Sequence, residues 1–176
     1  MSEPTDKSSP MATIGSVAGA IGGWSLSQYC GASILIPGAA ILLFLLLFSK
    51  GPVRPKYFLG AISTTAAHVT WFAVASALTG LWSQMALDII LLTVGILFLW
   101  TRPSLSSVVF LGLIQTASLV LNIYTISSVT FGSAPHRALT AHCIFRLLAI
   151  ICLVSGYVRL RRQPPPPLPD SATALS

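Results

Sequence analysis

Read as apolar and polar positions, the chain is a series of long apolar runs separated by short polar breaks. Four runs stand clear, at residues 58–80, 84–101, 105–128 and 138–158. A helix crosses the ~30 Å hydrocarbon layer of a bilayer with about 20 mostly apolar residues, so each run predicts one spanning helix. Ahead of them lies residues 11–49, about 39 residues without a charge. As one helix it would reach about 58 Å, nearly twice the hydrocarbon thickness. It is therefore expected to fold back near Tyr29, Cys30 and Gly31, giving two short spans. Pro37, inside the second, should kink it or end its first turn.

An internal repeat supports that division. Shifted by 52 residues, Phe58, Leu59 and Gly60 fall on Phe110, Leu111 and Gly112, Ile62 on Ile114, Thr64 on Thr116 and Gly80 on Gly132. Carried backwards, the shift sets the fold-back near Tyr29 under a tight turn between Leu81 and Gln84. The expected fold is an all-α, polytopic membrane bundle of six transmembrane helices as three hairpins, at 11–49, 58–101 and 105–158, with five helices as the alternative. Residues 1–10 form a short tail, 11–160 the bundle and 161–176 a proline-rich tail. Parallel repeats of this kind are one way of building transporters, and they also arise by duplication of a hairpin.

Composition sharpens this picture. Of 176 residues only 8% are charged and 54% are hydrophobic, and mean hydropathy is +0.82. A soluble domain carries about 25% charged residues, and this much apolar surface cannot be hidden in so short a chain. A free-standing soluble enzyme and a disordered chain are excluded. Four acids in all argue against a carboxylate-rich hydrolase site or a calcium site.

The net charge of +6 does not read as a nucleic-acid footprint, because the basic residues flank the apolar runs. With six spans, Lys7, Lys50, Arg54, Lys56, Arg102, Arg159, Arg161 and Arg162 share one side, and only Arg137 stands on the other. Cytoplasmic loops are enriched in Lys and Arg, so both termini are expected in the cytoplasm, with the chain in a plasma or inner membrane. The first residues, with Glu3, Asp6 and Lys7, do not form the positive region of a signal peptide. Trp24, Trp82, Trp100, Tyr57 and Tyr157 fall near helix ends, as an interfacial aromatic belt does.

Ionisable and amide groups within the spans are the informative residues, because each is costly in lipid and usually faces a partner. They are His68, Asp88, Gln115, Asn122, His142 and Arg146. Counted from the run boundaries, His68, Gln115 and Arg146 are central, while Asp88 and His142 sit about one turn from the outer side and Asn122 in the outer half. Asp88 is the only acid in a span and Arg146 the only deep Arg or Lys, so the two are expected to pair, directly or through His142, which shares a helix face with Arg146. The group is either a polar pathway or an internal clasp. Haem ligation by His68 and His142 is disfavoured by an expected depth mismatch of about 10 Å, and His136 reads as a loop residue. His68 is expected to bond a nearby hydroxyl, Ser63, Thr64 or Thr65. No cofactor or metal is expected.

Gly15, Gly19 and Gly23 make a double G-x-x-x-G, which lets helix backbones approach closely. It is expected to join the first helix to its own bundle, with pairing of two copies as the other reading. Cys30, Cys143 and Cys152 have neither disulfide nor zinc spacing and read as small packing residues. In the tail, Arg161, Pro164 and Pro167 fit a proline-rich peptide ligand only loosely, and a stiff charged exit is preferred. The Walker, dinucleotide-binding, zincin and nucleophile-elbow motifs are absent. Besides the bilayer, no partner is specified. The function classes left are a small solute or ion transporter or channel subunit, a non-catalytic membrane scaffold or assembly protein and, with the least support, a membrane-embedded enzyme.

Overall fold

The structure, a computed structural model, describes residues 10–50, 56–80 and 82–162. The first nine residues with Lys7, Arg54 in the 51–55 connection, and the proline-rich tail from 163 lie outside them, as do the surroundings of Gly15. The described residues form six α-helices and one 3-10 turn: α1 (Pro10–Cys30), α2 (Ala32–Lys50), the turn Lys56–Phe58, α3 (Leu59–Thr79), α4 (Trp82–Thr101), α5 (Leu105–Ser127) and α6 (Ala134–Arg161). Among the described residues, Ala32–Lys50, Lys56–Thr79, Leu105–Ser127 and Ala134–Arg161 are long and apolar enough to cross a membrane, and Met85–Thr101 is a shorter apolar helix.

The boundaries follow local chemistry. The first break falls at Gly31, whose φ of 56° is left-handed and favours glycine. Pro37 does not end α2, which runs on to Lys50 with Pro37 buried. Gly80, at φ 72°, caps α3 by donating its N–H to Ser76 O. Ser104 and Ser107 form a reciprocal capping box at the start of α5.

The start of α6 departs from the sequence expectation. Ser133 is the N-cap, its Oγ accepting from His136 N at 3.3 Å, and a proline follows in the first turn. The helix therefore begins at Ala134 rather than Ala138, and His136 lies in its first turn, not in a loop. That lowers every α6 residue by one turn, about 6 Å.

The helices are not packed as isolated pairs. The most extensive contacts are α5 with α6, α2 with α3, α3 with α6 and α3 with α4, whereas α1 touches α2 and α6 only lightly. The main apolar core joins Phe58, Ile62, Leu92, Leu99, Leu111 and Leu153, and Trp100 meets Phe48 edge to face at 5.2 Å between ring centres. A smaller cluster, Cys30 with Ala141 and Phe145, ties the end of α1 to α6. Tyr29 Oη lies 2.8 Å from His136 Nδ1 there. The three cysteines are free thiols.

The distribution of polarity is inverted relative to a soluble protein. Arg146 is the largest fully buried side chain, joined by buried Ser63, Thr64, Thr65, His68, Ser76 and Gln115. Leu42, Leu46, Leu87, Leu97, Leu113 and Leu121 are among the large apolar side chains that face outward. Soluble domains bury the second kind and expose the first.

Candidate functional site

Buried Thr65, Gln115 and Arg146 meet Asp88 in one layer where α3, α4, α5 and α6 converge. Arg146 lies twelve residues into α6, about 18 Å from its first residue, and Gln115 about 18 Å from the last residue of α5. Asp88 lies about 9 Å into α4. A helical side chain leans towards its own N-terminus. In an alternating bundle, α4 and α6 start at the same end, so Arg146 leans towards the level of Asp88.

The geometry is specific. Arg146 Nη2 donates to Asp88 Oδ2 at 3.0 Å and Nη1 donates to Gln115 Oε1 at 3.2 Å. Gln115 Nε2 donates in turn to Thr65 Oγ1 at 3.2 Å. Ser118 Oγ, one turn on from Gln115, donates to Asp88 Oδ1 at 3.2 Å. The guanidinium carbon stands 5.7 Å from the centre of the Phe72 ring, within the range of a cation–π contact. Four helices thus share one ion pair: α3 through Thr65 and Phe72, α4 through Asp88, α5 through Gln115 and Ser118, and α6 through Arg146.

The histidines form an adjoining pair. His68 Nε2 lies 2.8 Å from His142 Nδ1, and Phe72 stacks against both rings, at 4.5 Å and 4.9 Å between centres. One nitrogen must donate and the other accept, so the pair holds no more than one positive charge. This corrects two expectations. The depth mismatch does not exist, because α6 starts one turn earlier than the apolar run. His68 also takes no Ser or Thr partner across this edge: Thr65 is engaged by Gln115, and Ser63 Oγ and His68 Nδ1 are buried without a hydrogen-bond partner among the described residues. Metal–nitrogen bonds of about 2 Å place two ligand nitrogens on opposite sides of an iron about 4 Å apart, so these two, at 2.8 Å, hold no haem iron between them in this arrangement. Among the described residues, no group of three or more His, Cys, Asp or Glu side chains could hold a metal ion.

Two expected residues lie apart. Asn122 is not in the buried layer. It lines an open pocket of about 190 Å³ with Asp88 and Ser118. A second groove, of about 390 Å³, runs between α4 and α5 past Leu91, Ile114 and Ala117 to the same carboxylate. Asp88 is accordingly 35% exposed while Arg146 is wholly enclosed. Gly19 and Gly23 face open space, with nothing within 4 Å of where a Cβ would stand. At these two positions no other helix is packed against the stripe.

Sequence reasoning passed over Thr65 as the partner of Gln115, Ser118 as the second ligand of Asp88, and Phe72. The signal available was spacing: Gln115 and Ser118 are three apart and share a helix face, as do His142 and Arg146 at four. Comparison of the chain with protein-family models, with curated proteins and with solved structures finds no match.

Proposed function

We propose that the chain is a multi-pass integral membrane protein whose polar layer is a clasp locking α3, α4, α5 and α6 into one body, and that it serves as a non-catalytic membrane scaffold or assembly subunit. The observation behind this reading is the state of Arg146. Both terminal nitrogens of its fully buried guanidinium are taken by side chains of two other helices. A cation neutralised in this way holds helices together and is not offered to a passing solute. The membrane setting is supported by the outward apolar surface and by the four long apolar helices. In this reading the six helices alternate as three hairpins, both termini lie on the basic, cytoplasmic side of a plasma or inner membrane, and copies of the chain can associate through α1.

The topology is tested by single cysteines in a variant with Cys30, Cys143 and Cys152 replaced by Ala. Lys7→Cys and Arg102→Cys should label from one side, and Ala32→Cys and Phe131→Cys from the other. Labelling of residues 7 and 32 from the same side rejects the first hairpin.

A second reading, a small solute or ion transporter or channel subunit, is favoured by one observation: the α4–α5 groove reaches Asp88, with Asn122 beside it. Proteoliposomes separate the two. A scaffold shows no ion or solute flux above empty vesicles, and Asp88→Asn alters stability alone. A transporter shows a flux that Asp88→Asn abolishes.

A further inference from the structure

At the opposite end of the bundle from Asp88, the Lys56–Phe58 turn, the start of α3 and the end of α6 line an open pocket of about 380 Å³ that the polar layer does not use. Its polar walls carry Lys56, Ser155 and Arg159 and its apolar walls Leu59 and Ile151, and Gly60 lets α3 approach Cys152 of α6 closely, a Cβ there standing 3.2 Å from Sγ. Lys56 and Arg159 are exposed cations, one on the 3-10 turn before α3 and one near the end of α6. Asp88 is the only acid among the described residues, and it is committed to Arg146. No carboxylate of the described residues can therefore neutralise this cavity. The α3 N-terminus, with Phe58 at the N-cap and no side-chain cap bond, adds the positive end of a helix dipole. Ile151 of its wall faces outward, as do Val154 and Val158 on the same helix.

We propose that this cavity binds the phosphodiester headgroup of an anionic phospholipid. Lys56 and Arg159 meet the phosphate oxygens, Ser155 donates to one of them, and an acyl chain lies along Leu59 and Ile151. A guanidinium from α6 and an ammonium from the 3-10 turn before α3, lining one pocket, match a phosphate carrying several acceptor oxygens. Basic pockets between transmembrane helices on the cytoplasmic side are suited to such headgroups. The apolar wall is what selects a lipid over a free anion. Occupation would hold α6 to the start of α3 from outside, at the end of the bundle that the Asp88–Arg146 pair does not reach. The inference rests on the membrane reading above and is independent of what the polar layer does.

The test is native mass spectrometry of the full chain in detergent, titrated with dioleoyl phosphatidylglycerol or dioleoyl phosphatidylcholine. The expected result is one phosphatidylglycerol retained under conditions that strip phosphatidylcholine. Lys56→Gln with Arg159→Gln should weaken retention about tenfold or more, while Arg102→Gln with Arg162→Gln, an equal loss of charge at the same end, should change it by less than about twofold. Ser155→Leu fills the cavity without changing charge and should weaken retention as well. If the first double variant fails to fold, as judged by circular dichroism, Ser155→Leu decides, and unchanged retention in it overturns the proposal. Equal loss in both double variants, equal retention of the two lipids, or displacement of the lipid by about 10 mM inorganic phosphate also overturns it. A chain that fails to insert into vesicles at all removes the membrane reading instead.

Discussion

Arg146 and Asp88 form an asymmetric pair: Nη2 and Oδ2 are 3.0 Å apart, yet the guanidinium is wholly enclosed and the carboxylate is about one-third exposed on the α4–α5 groove. The cation is the member that cannot recover water if its partner is lost. Asp88→Leu should therefore cost about 3–5 kcal/mol, the usual penalty for stranding a buried charge. Adding Arg146→Met should restore most of it, because the stranded charge is gone. Unfolding free energies in mixed micelles, arranged as a double-mutant cycle, give the coupling directly. Additive effects of the two substitutions would show that the pair does not act as one unit.

The imidazole pair has its own signature. Since one of His68 Nε2 and His142 Nδ1 must carry the shared proton, ¹⁵N-histidine NMR should find one of the two protonated and the other bare at neutral pH. His142→Phe leaves His68 Nε2 buried without its partner and should cost about 1–3 kcal/mol. Two nitrogens that are both protonated at neutral pH would mean that the rings do not bond.

Close approach at the basic end rests on a single hydrogen atom. A Cβ on Gly156 would stand 2.5 Å from the Tyr57 carbonyl oxygen, which is main chain and cannot swing aside. A Cβ on Gly112 would stand 3.5 Å from a methyl of Leu153, an ordinary contact. Gly156→Ala should therefore destabilise by about 1–3 kcal/mol. Gly112→Ala should be neutral or stabilising by up to about 1 kcal/mol, as alanine is the better helix former. Thermal melts of the two variants make the comparison, and equal melting temperatures would refute the close approach.

Ser133→Ala removes the side-chain acceptor of the His136 N–H and should cost about 1 kcal/mol. The loss should be local. Amide exchange is expected to quicken in the first turn of α6 and, through the contact between Tyr29 and His136, at the end of α1, with the core of α6 unchanged.

What could be read from the residues alone was decided by cost. A carboxylate and a guanidinium within apolar runs are each so unfavourable that their rarity marks Asp88 and Arg146 as partners before any geometry is known. Depth counted from the run boundaries placed Gln115 and His68 centrally. It misplaced His142, because counting apolar residues set the start of α6 at Ala138, whereas Ser133 and the proline of the first turn start it earlier. Rotation about the helix axis was also out of reach. Nothing in the pattern tells whether His68 turns towards Ser63 on its own helix or towards α6, since that depends on how α3 and α6 abut. Gly19 and Gly23 of α1 illustrate the converse: their spacing permits close approach, and permission is not contact. Packing of α2 against α3 more than against α1 is likewise invisible to a method that pairs neighbours across short loops.

Gln115 uses its amide in one sense only, accepting from Arg146 and donating to Thr65. Turning α5 by one residue swings that amide through about 100°, and sliding it by one turn moves it about 5.4 Å. Either motion breaks both bonds at once. The leucines on the outer surface of α5 impose no such condition, since hydrocarbon receives them equally well at any angle. The azimuth and height of this helix are therefore indexed by one neutral amide, and replacing it with leucine would remove the index while leaving α5 just as apolar and just as helical.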